Sequence, residues 1–224
     1  MSFERHIVTS HWKEDLEWLN NSGHKVILID KEGAEPACIQ PKAVVPNVCG
    51  ETPVYLKYII DNYDTLPPVV AFVHGHEFAY HHKHPLHILD LIENLDVKGY
   101  ISLNGTWRTI PNIDDPNHDL IKLRKYWHLI EPVVGPYPPM YGIACANSQF
   151  LVTRERIRRV PLAFYKHWYD QVLKDGTIYI QTFFEYTWHV IFGEPWVMQF
   201  QAFLPLKTGL LRPRPTFIQE MHIP

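Results

Sequence analysis

Apolar positions along this chain fall into short continuous runs, separated by segments in which they recur every three or four residues. The run from His6 to Thr9 reads as a first strand. Ser10 and His11 follow it, and then Glu14, Leu16, Trp18 and Leu19 in a helical rhythm. Lys25 to Ile29 is a second strand, continuous enough to be buried on both faces as parallel strands are. Ala43 to Val45 is a weaker third. A loop from Pro46 to Glu51 leads into a helix over Thr52 to Tyr63, where Val54, Tyr55, Tyr58, Ile59 and Tyr63 keep helical spacing. Pro67 and Pro68 then stop the chain before Val69 to Val73, the clearest buried strand in the sequence.

Beyond it, Leu86 to Leu95 is an amphipathic helix and Gly99 to Leu103 a strand. Residues 104 to 142 are punctuated by proline and irregular apart from a helix over Leu120 to Leu129, which suits a loop-built binding surface. Ser148 to Val152 is a strand, Thr153 to Arg159 a short basic helix, and Pro161 to Leu173 a longer helix with proline in its first turn. Phe183 to Phe192 makes a late aromatic helix, and residues 195 to 224 read as an extended tail packed on the body. Strands that alternate with helices predict a single Rossmann-like α/β domain with a mostly parallel central sheet flanked by helices. Such sheets bind ligands beyond the carboxyl ends of their strands. That rule points to Ser10 and His11, to the stretch from Asn47 to Glu51, and above all to His74.

Composition narrows the partners. With 224 residues, 46% of them hydrophobic and 20% charged, the chain can bury one sizeable core and is not disordered. A formal charge of −3 and the lack of a Lys/Arg tract argue against nucleic acid. Cys38, Cys49 and Cys145 have no CxxC spacing, so neither a disulfide framework nor a cysteine zinc site is indicated, and a reducing compartment fits best. No apolar run reaches membrane-spanning length, and Glu4, Arg5 and His6 do not open a signal peptide. The expectation is a soluble, cytoplasmic protein, with monomer and homodimer both open.

Candidate chemistry centres on His74-Gly75-His76-Glu77, followed by His81, His82, His84 and His87. Six of the fourteen histidines therefore follow directly on the best buried strand. Imidazole is the commonest metal ligand, and alternate residues leaving a strand, here His74 and His76, point to one side. The bland alternative is a set of surface histidines with no common focus. Glu185 and His189 are an i, i+4 pair on one face of the aromatic helix, where apolar surroundings would raise a carboxyl pKa toward that of a general base. A plain helix-surface pair is the equal alternative. Arg154, Arg156, Arg158 and Arg159 could neutralise a diphosphate or simply face water. Asp114-Asp115 lies in a turn-rich loop with no strand to aim it. P-loop, GxGxxG, GxSxG and HExxH motifs are all missing from the sequence.

Several segments, in order from about residue 7 to residue 193, resemble a large, functionally uncharacterised family common in fungi. They include Val8 to Leu19, Pro46-Asn47-Val48, Tyr55 to Asp64, Phe72-Val73-His74-Gly75-His76 with His81, Gly99 to Asn104, Gln149 to Ile157 and Glu185 to Gly193. That family is in turn similar to the GT-A class of glycosyltransferases, whose α/β domain carries a metal-binding acidic motif after a central strand and a catalytic carboxylate further on. The resemblance implies a nucleotide-sugar loop at Thr9, Ser10 and His11; the carboxyl-end rule adds Asn47 and Glu51 as contacts, and the basic run places Arg154 or Arg156 near the diphosphate. The resemblance also implies a Mn2+ or Mg2+ site at His74 and His76 with His189 as a late ligand, and Glu185 as the base. No Asp-x-Asp stands at His74-Gly75-His76. Histidines then take over the metal, or the diphosphate is neutralised without one, or the activity has been lost.

The expectation is a GT-A-like enzyme that moves a sugar from a nucleoside diphosphate sugar to a hydroxyl of a glycan acceptor by an inverting displacement. The rivals are a metal-dependent hydrolase that uses the histidine cluster and a non-catalytic carbohydrate-binding module. Trp107, Tyr137, Tyr141, Trp168 and Trp188 suit stacking on sugar rings or an ordinary core.

Overall fold

A computed structural model of the chain describes residues 5–20, 22–82, 86–110, 121–138, 142–144, 147–198, 203–205, 207, 211–213 and 217–219. Of residues 108–110, 121–125, 142–144, 203–205, 211–213 and 217–219 only the backbone path is described. His84, Asp114, Asp115, Tyr141 and Cys145 lie outside the described residues.

A six-stranded sheet forms the centre, built from β1 (Arg5–His11), β2 (Lys25–Lys31), β3 (Ala43–Val45), β4 (Val69–Val73), β5 (Tyr100–Ser102) and β8 (Phe150–Thr153). Its order is β3-β2-β1-β4-β8-β5. β1 lies parallel to both β2 and β4, and β2 to β3, whereas β8 runs antiparallel to its neighbours β4 and β5. The sheet is therefore mostly parallel, as the strand–helix alternation predicts. Every residue of β4 is buried, and four of its five are β-branched or aromatic, which suits a strand covered on both faces.

Two apolar layers cover the sheet. On one face pack α1 (Thr52–Asn62), α3 (Ile121–Val134), α5 (Leu162–Asp175) and α6 (Ile178–Ile191), with Tyr55, Phe72, Phe150, Phe184 and Trp188 among the residues they bury. On the other, α2 (Ile88–Asn94) buries Leu91 and Ile92 against Ile7, Ala71 and Leu151. Each large side chain so buried contributes about 1.5–3 kcal/mol of hydrophobic stabilisation. Local chemistry sets the helix ends. Pro53 sits in the first turn of α1, where a missing N–H costs nothing. Thr153 Oγ1 accepts from Arg156 N at 3.4 Å to cap α4 (Arg154–Arg158), and Gly176 ends α5 in a left-handed conformation.

The structure departs from the sequence reading in three places. Leu16 to Leu19 forms only a single 3-10 turn over Glu17–Leu19 rather than a helix. The stretch from 104 to 142 is not merely irregular, because β6 (Thr106–Ile110) and β7 (Gly142–Ala144) pair within it. The tail, expected as an extended segment packed on the body, carries strands: β9 (Phe203–Pro205) pairs with β10 (Leu211–Pro213), and β11 (Phe217–Gln219) lies parallel to β6. Long-range pairing of this kind leaves no periodic mark in the sequence. Among the described residues, no helix is long and apolar enough to cross a membrane.

Candidate functional site

From β1 the chain moves outward to β2 and β3, then returns through α1 to place β4 on the opposite side of β1. Strand order reverses between β1 and β4, so the crevice at their carboxyl ends is the favoured ligand position of an open α/β sheet. His11 leaves β1 and His74 leaves β4 at that crevice. Gly75 makes the junction close: a Cβ there would stand 2.7 Å from the Ser10 carbonyl oxygen. Trp18 Nε1 donates to the Gly75 carbonyl at 2.9 Å and ties the first turn to the same point.

A cleft of about 300 Å³ opens here. Its floor and walls are Glu51, His74, His76, His81 and Asn147, with Gln181 and Glu185 from α6 and Phe78, Ala79 and Tyr80 from the loop after β4. Glu51, His74, His76 and Glu185, which stand far apart in the sequence, thus converge. α6 approaches so closely that a Cβ on Gly50, itself at φ +56°, would come within 2.7 Å of the Gln181 side chain. Gln181 Nε2 in turn donates to Glu185 Oε1 at 3.0 Å, an i, i+4 contact that orients the carboxylate.

Behind the cleft lies a buried polar network. Asn104 Nδ2 donates to the carbonyls of Asn147 (3.2 Å) and Gln149 (3.4 Å), so its Oδ1 accepts from Gln149 Nε2 at 3.2 Å and from His81 Nδ1 at 2.6 Å. Gln149 Oε1 takes the His74 backbone N–H at 3.2 Å and pins the end of β4. Asn147 and Ser148 both hold positive φ, +79° and +47°, a conformation that costs non-glycine residues energy and recurs at functional sites. Two buried atoms at the cleft lack a hydrogen-bond partner: His74 Nε2 and Asn147 Nδ2, on residues only 8% and 5% exposed. Native proteins rarely leave such atoms bare.

Electrostatics distinguish the two groups nearest each other. Burial lowers the pKa of His74, outweighing the pull of the Glu51 carboxylate, so its ring is neutral at pH 7. Burial pushes the Glu51 carboxyl upward, but His74, Lys31 and its own backbone N–H more than offset this and hold it below the ordinary value. His74 Nε2 and Glu51 Oε2 stand 3.9 Å apart, too far for a hydrogen bond. Glu14 is likewise held low: backbone N–H groups, including those of Trp12 and Lys13, overcome its burial.

Other residues singled out in the sequence fall elsewhere. Thr9 and Ser10 are buried in β1, and the Thr9 hydroxyl donates to the Ser10 carbonyl at 3.3 Å, so neither lines the cleft. His11 is buried at its margin with Nδ1 3.1 Å from Asp30 Oδ1. Asn47 is exposed in the loop after β3 and does not line the cleft. His87 caps α2 by accepting from Leu89 N at 3.2 Å, which leaves Nε2 to donate to Glu77 Oε1 at 3.1 Å. His82 donates to the Leu86 carbonyl at 3.0 Å.

His189 does not join His74 and His76. It is buried beside Trp196, the two rings nearly parallel at 6.4 Å, and burial lowers its pKa to about 4 against a hydrogen bond with the Trp196 backbone. Among the described residues no three His, Cys, Asp or Glu side chains stand close enough to share one ion, so the three-histidine set does not fit a metal. Arg154 and Arg156 are also misplaced for a diphosphate at the cleft. β8 is antiparallel to β4, with Thr153 opposite Val69, so both arginines emerge at the amino edge of the sheet. A five-residue strand separates the two edges by roughly 15 Å. Arg156 Nη2 pairs with Glu194 at 3.4 Å and Nη1 donates to the Gly193 carbonyl at 3.2 Å.

Sequence reasoning missed Asn104, Asn147, Gln149, Gln181, Phe78 and Tyr80. An Asn-Gly pair at Asn104-Gly105 and two aromatic residues at alternate positions after His76 were the available signals.

The sheet and its switch-point cleft define a class, an α/β protein with a polar cleft at the carboxyl ends of β1 and β4. Within that class, residues 7–203 match the family described as a protein of unknown function (DUF3431), and the chain belongs to that family. No curated protein matches the sequence.

Proposed function

We propose that the protein is a GT-A-like glycosyltransferase that moves a sugar from a nucleoside diphosphate sugar to a hydroxyl acceptor, with the cleft of Glu51, His74, His76 and Glu185 as its active site. The observation that carries this reading is the meeting of Glu185 on α6 with His74 and His76 at the switch point of a mostly parallel sheet. This is where such sheets receive nucleotides, and a carboxylate on the opposite wall is what an acceptor hydroxyl needs.

In this reading Glu185, held by Gln181, takes the proton of the acceptor hydroxyl. The oxygen lone pair forms a bond to the anomeric carbon from the face opposite the leaving group. The bond from that carbon to the phosphate oxygen breaks, and its electron pair departs with the diphosphate, inverting the configuration. The nucleotide lies over the ends of β1 and β2, where Trp12 is 41% exposed with the Lys13 ammonium 4.6 Å from its ring centre. Lys31, whose charge acts on both Glu51 and His74, faces the diphosphate. Participation of Mn2+ or Mg2+ at His74 and His76 is tested separately below.

The test is a thermal-shift screen of uridine and guanosine diphosphates and their sugars, with and without manganese, on the wild type, His76→Ala and Glu185→Gln. Stabilisation by one nucleotide family, kept in Glu185→Gln and weakened in His76→Ala, supports the reading. A shift that needs manganese assigns the ion to the histidines. If no nucleotide raises the melting temperature and zinc alone does, the transferase reading fails in favour of a metal-binding or hydrolytic protein.

A further inference from the structure

We propose that Phe78 and Tyr80 form a stacking platform for the apolar face of a neutral sugar ring, so that the acceptor is a saccharide held at the mouth of the cleft. As an acceptor subsite it rests on the transferase reading; as a binding site it stands on the following geometry.

Phe78 and Tyr80 are 76% and 66% exposed, yet both line the cleft. Large rings so exposed forgo the hydrophobic stabilisation of burial, and the loop that carries them is built rather than slack. Glu77 accepts from His87 at 3.1 Å, His82 N donates to the Ala79 carbonyl at 3.0 Å, and the His81 carbonyl accepts from Gly105 N at 3.0 Å and Thr106 Oγ1 at 3.3 Å. Imidazole rings brace both aromatics edge-on: His87 against Phe78 at 6.1 Å and His81 against Tyr80 at 5.0 Å.

Inward of these rings the surface turns polar. Asn147 and His74 line the cleft, and their buried Nδ2 and Nε2 atoms have no hydrogen-bond partner. Across it, Gln181 and Glu185 line the cleft from one face of α6 at i, i+4 spacing. An apolar rim of Phe78 and Tyr80 beside a floor of amide, imidazole and carboxylate matches a molecule with a C–H face and a hydroxyl edge. A pyranose has that shape. Glu51, His74, Asn147 and Glu185 make the floor beneath the two rings polar, which argues against a membrane surface as the occupant.

The experiment is saturation-transfer NMR with four neutral trisaccharides as probes, maltotriose, cellotriose, mannotriose and chitotriose, each with and without uridine diphosphate and guanosine diphosphate. Wild type, Phe78→Ala/Tyr80→Ala and the conservative Phe78→Tyr/Tyr80→Phe are compared, all altered only at exposed positions. The expected result is binding of at least one trisaccharide with the strongest transfer at its ring C–H protons, weakened at least tenfold in the alanine pair and restored in the conservative pair. Absence of binding under every condition overturns the proposal, as does binding that survives the alanine pair. Sedimentation with neutral phosphatidylcholine vesicles that depends on Phe78 and Tyr80, in place of saccharide binding, overturns it in favour of a membrane. Saccharide binding that needs both rings in a protein no nucleotide stabilises keeps the platform and rejects the transferase.

Discussion

β4 and β8 are hydrogen-bonded neighbours in one sheet, and each is followed by a run of basic or imidazole side chains, yet the two runs emerge at opposite edges. At the carboxyl edge, after β4, buried polar atoms are left unpartnered around a cleft. At the amino edge, after β8, Arg154 donates to the Leu66 carbonyl, Arg156 pairs with Glu194, and Arg158 donates to the Tyr63 carbonyl at 2.9 Å. A second hollow of about 300 Å³ lies beside Arg156, but charges of both signs line it, Asp96 and Glu194 with Lys98 and Arg156. Charge clusters that look alike in a sequence therefore differ in what the fold leaves them free to do. Strand direction decides this.

The largest effect is expected from Glu185→Gln. Loss of the base removes about 10²–10⁴-fold of turnover while binding persists, because the amide keeps the shape of the carboxylate. Measured kcat within tenfold of wild type would place the chemistry elsewhere. Next comes His189, which the structure separates from His74 and His76. His189, with its pKa lowered to about 4, is depressed relative to the unfolded chain, so its contribution to stability is present above pH 6.5 and is lost as the pH falls toward 4. The loss amounts to roughly 3 kcal/mol at about 1.4 kcal/mol per pH unit. Urea unfolding at pH 7, 5.5 and 4.5 on His189→Gln is expected to show a flatter acid slope, with His74 and His24, which burial also lowers, and the low-held carboxyls of Glu51 and Glu14 contributing to the remainder. An unchanged slope would remove His189 as its source.

Much of this was legible because burial writes itself into local sequence. The continuous Val69 to Val73 run and the Val26 to Ile29 run announce strands covered on both faces, and the carboxyl-end rule then locates His74. The same rule led to Glu51, and helix periodicity picked out Glu185. What could not be read is set by distant pairing. Nothing in Phe150 to Thr153 tells whether it lies parallel or antiparallel to β4, and that direction alone removes Arg154 and Arg156 from the cleft. The i, i+4 spacing put Glu185 and His189 on one face of α6, but Trp196 covers only the second. Asn104 carries no periodic signal, and its role appears only when β5 and β8 are side by side.

Asn104→Ala tests the carboxyl edge as a structure. It removes the oxygen that His81 and Gln149 share and leaves buried donors short of a partner, at a cost of about 2–4 kcal/mol. A change below about 0.5 kcal/mol in urea unfolding would mean that water replaces the network, as at an ordinary surface substitution.

Arg156→Ala is expected to have the smallest effect and separates the edges most directly. Its pair with Glu194 is partly exposed, so its loss costs only about 0.2–1 kcal/mol of stability. Burial raises the Glu194 pKa even against Arg156 and Arg159, and removal of Arg156 raises it further. Glu194 should then take up a proton at higher pH in the variant, a shift that carboxyl NMR titration reads directly. Nucleotide binding in the thermal-shift screen should match wild type. A weakened nucleotide response from Arg156→Ala would instead carry the ligand across the sheet to the amino edge, and the cleft at His74 would lose its claim to the diphosphate.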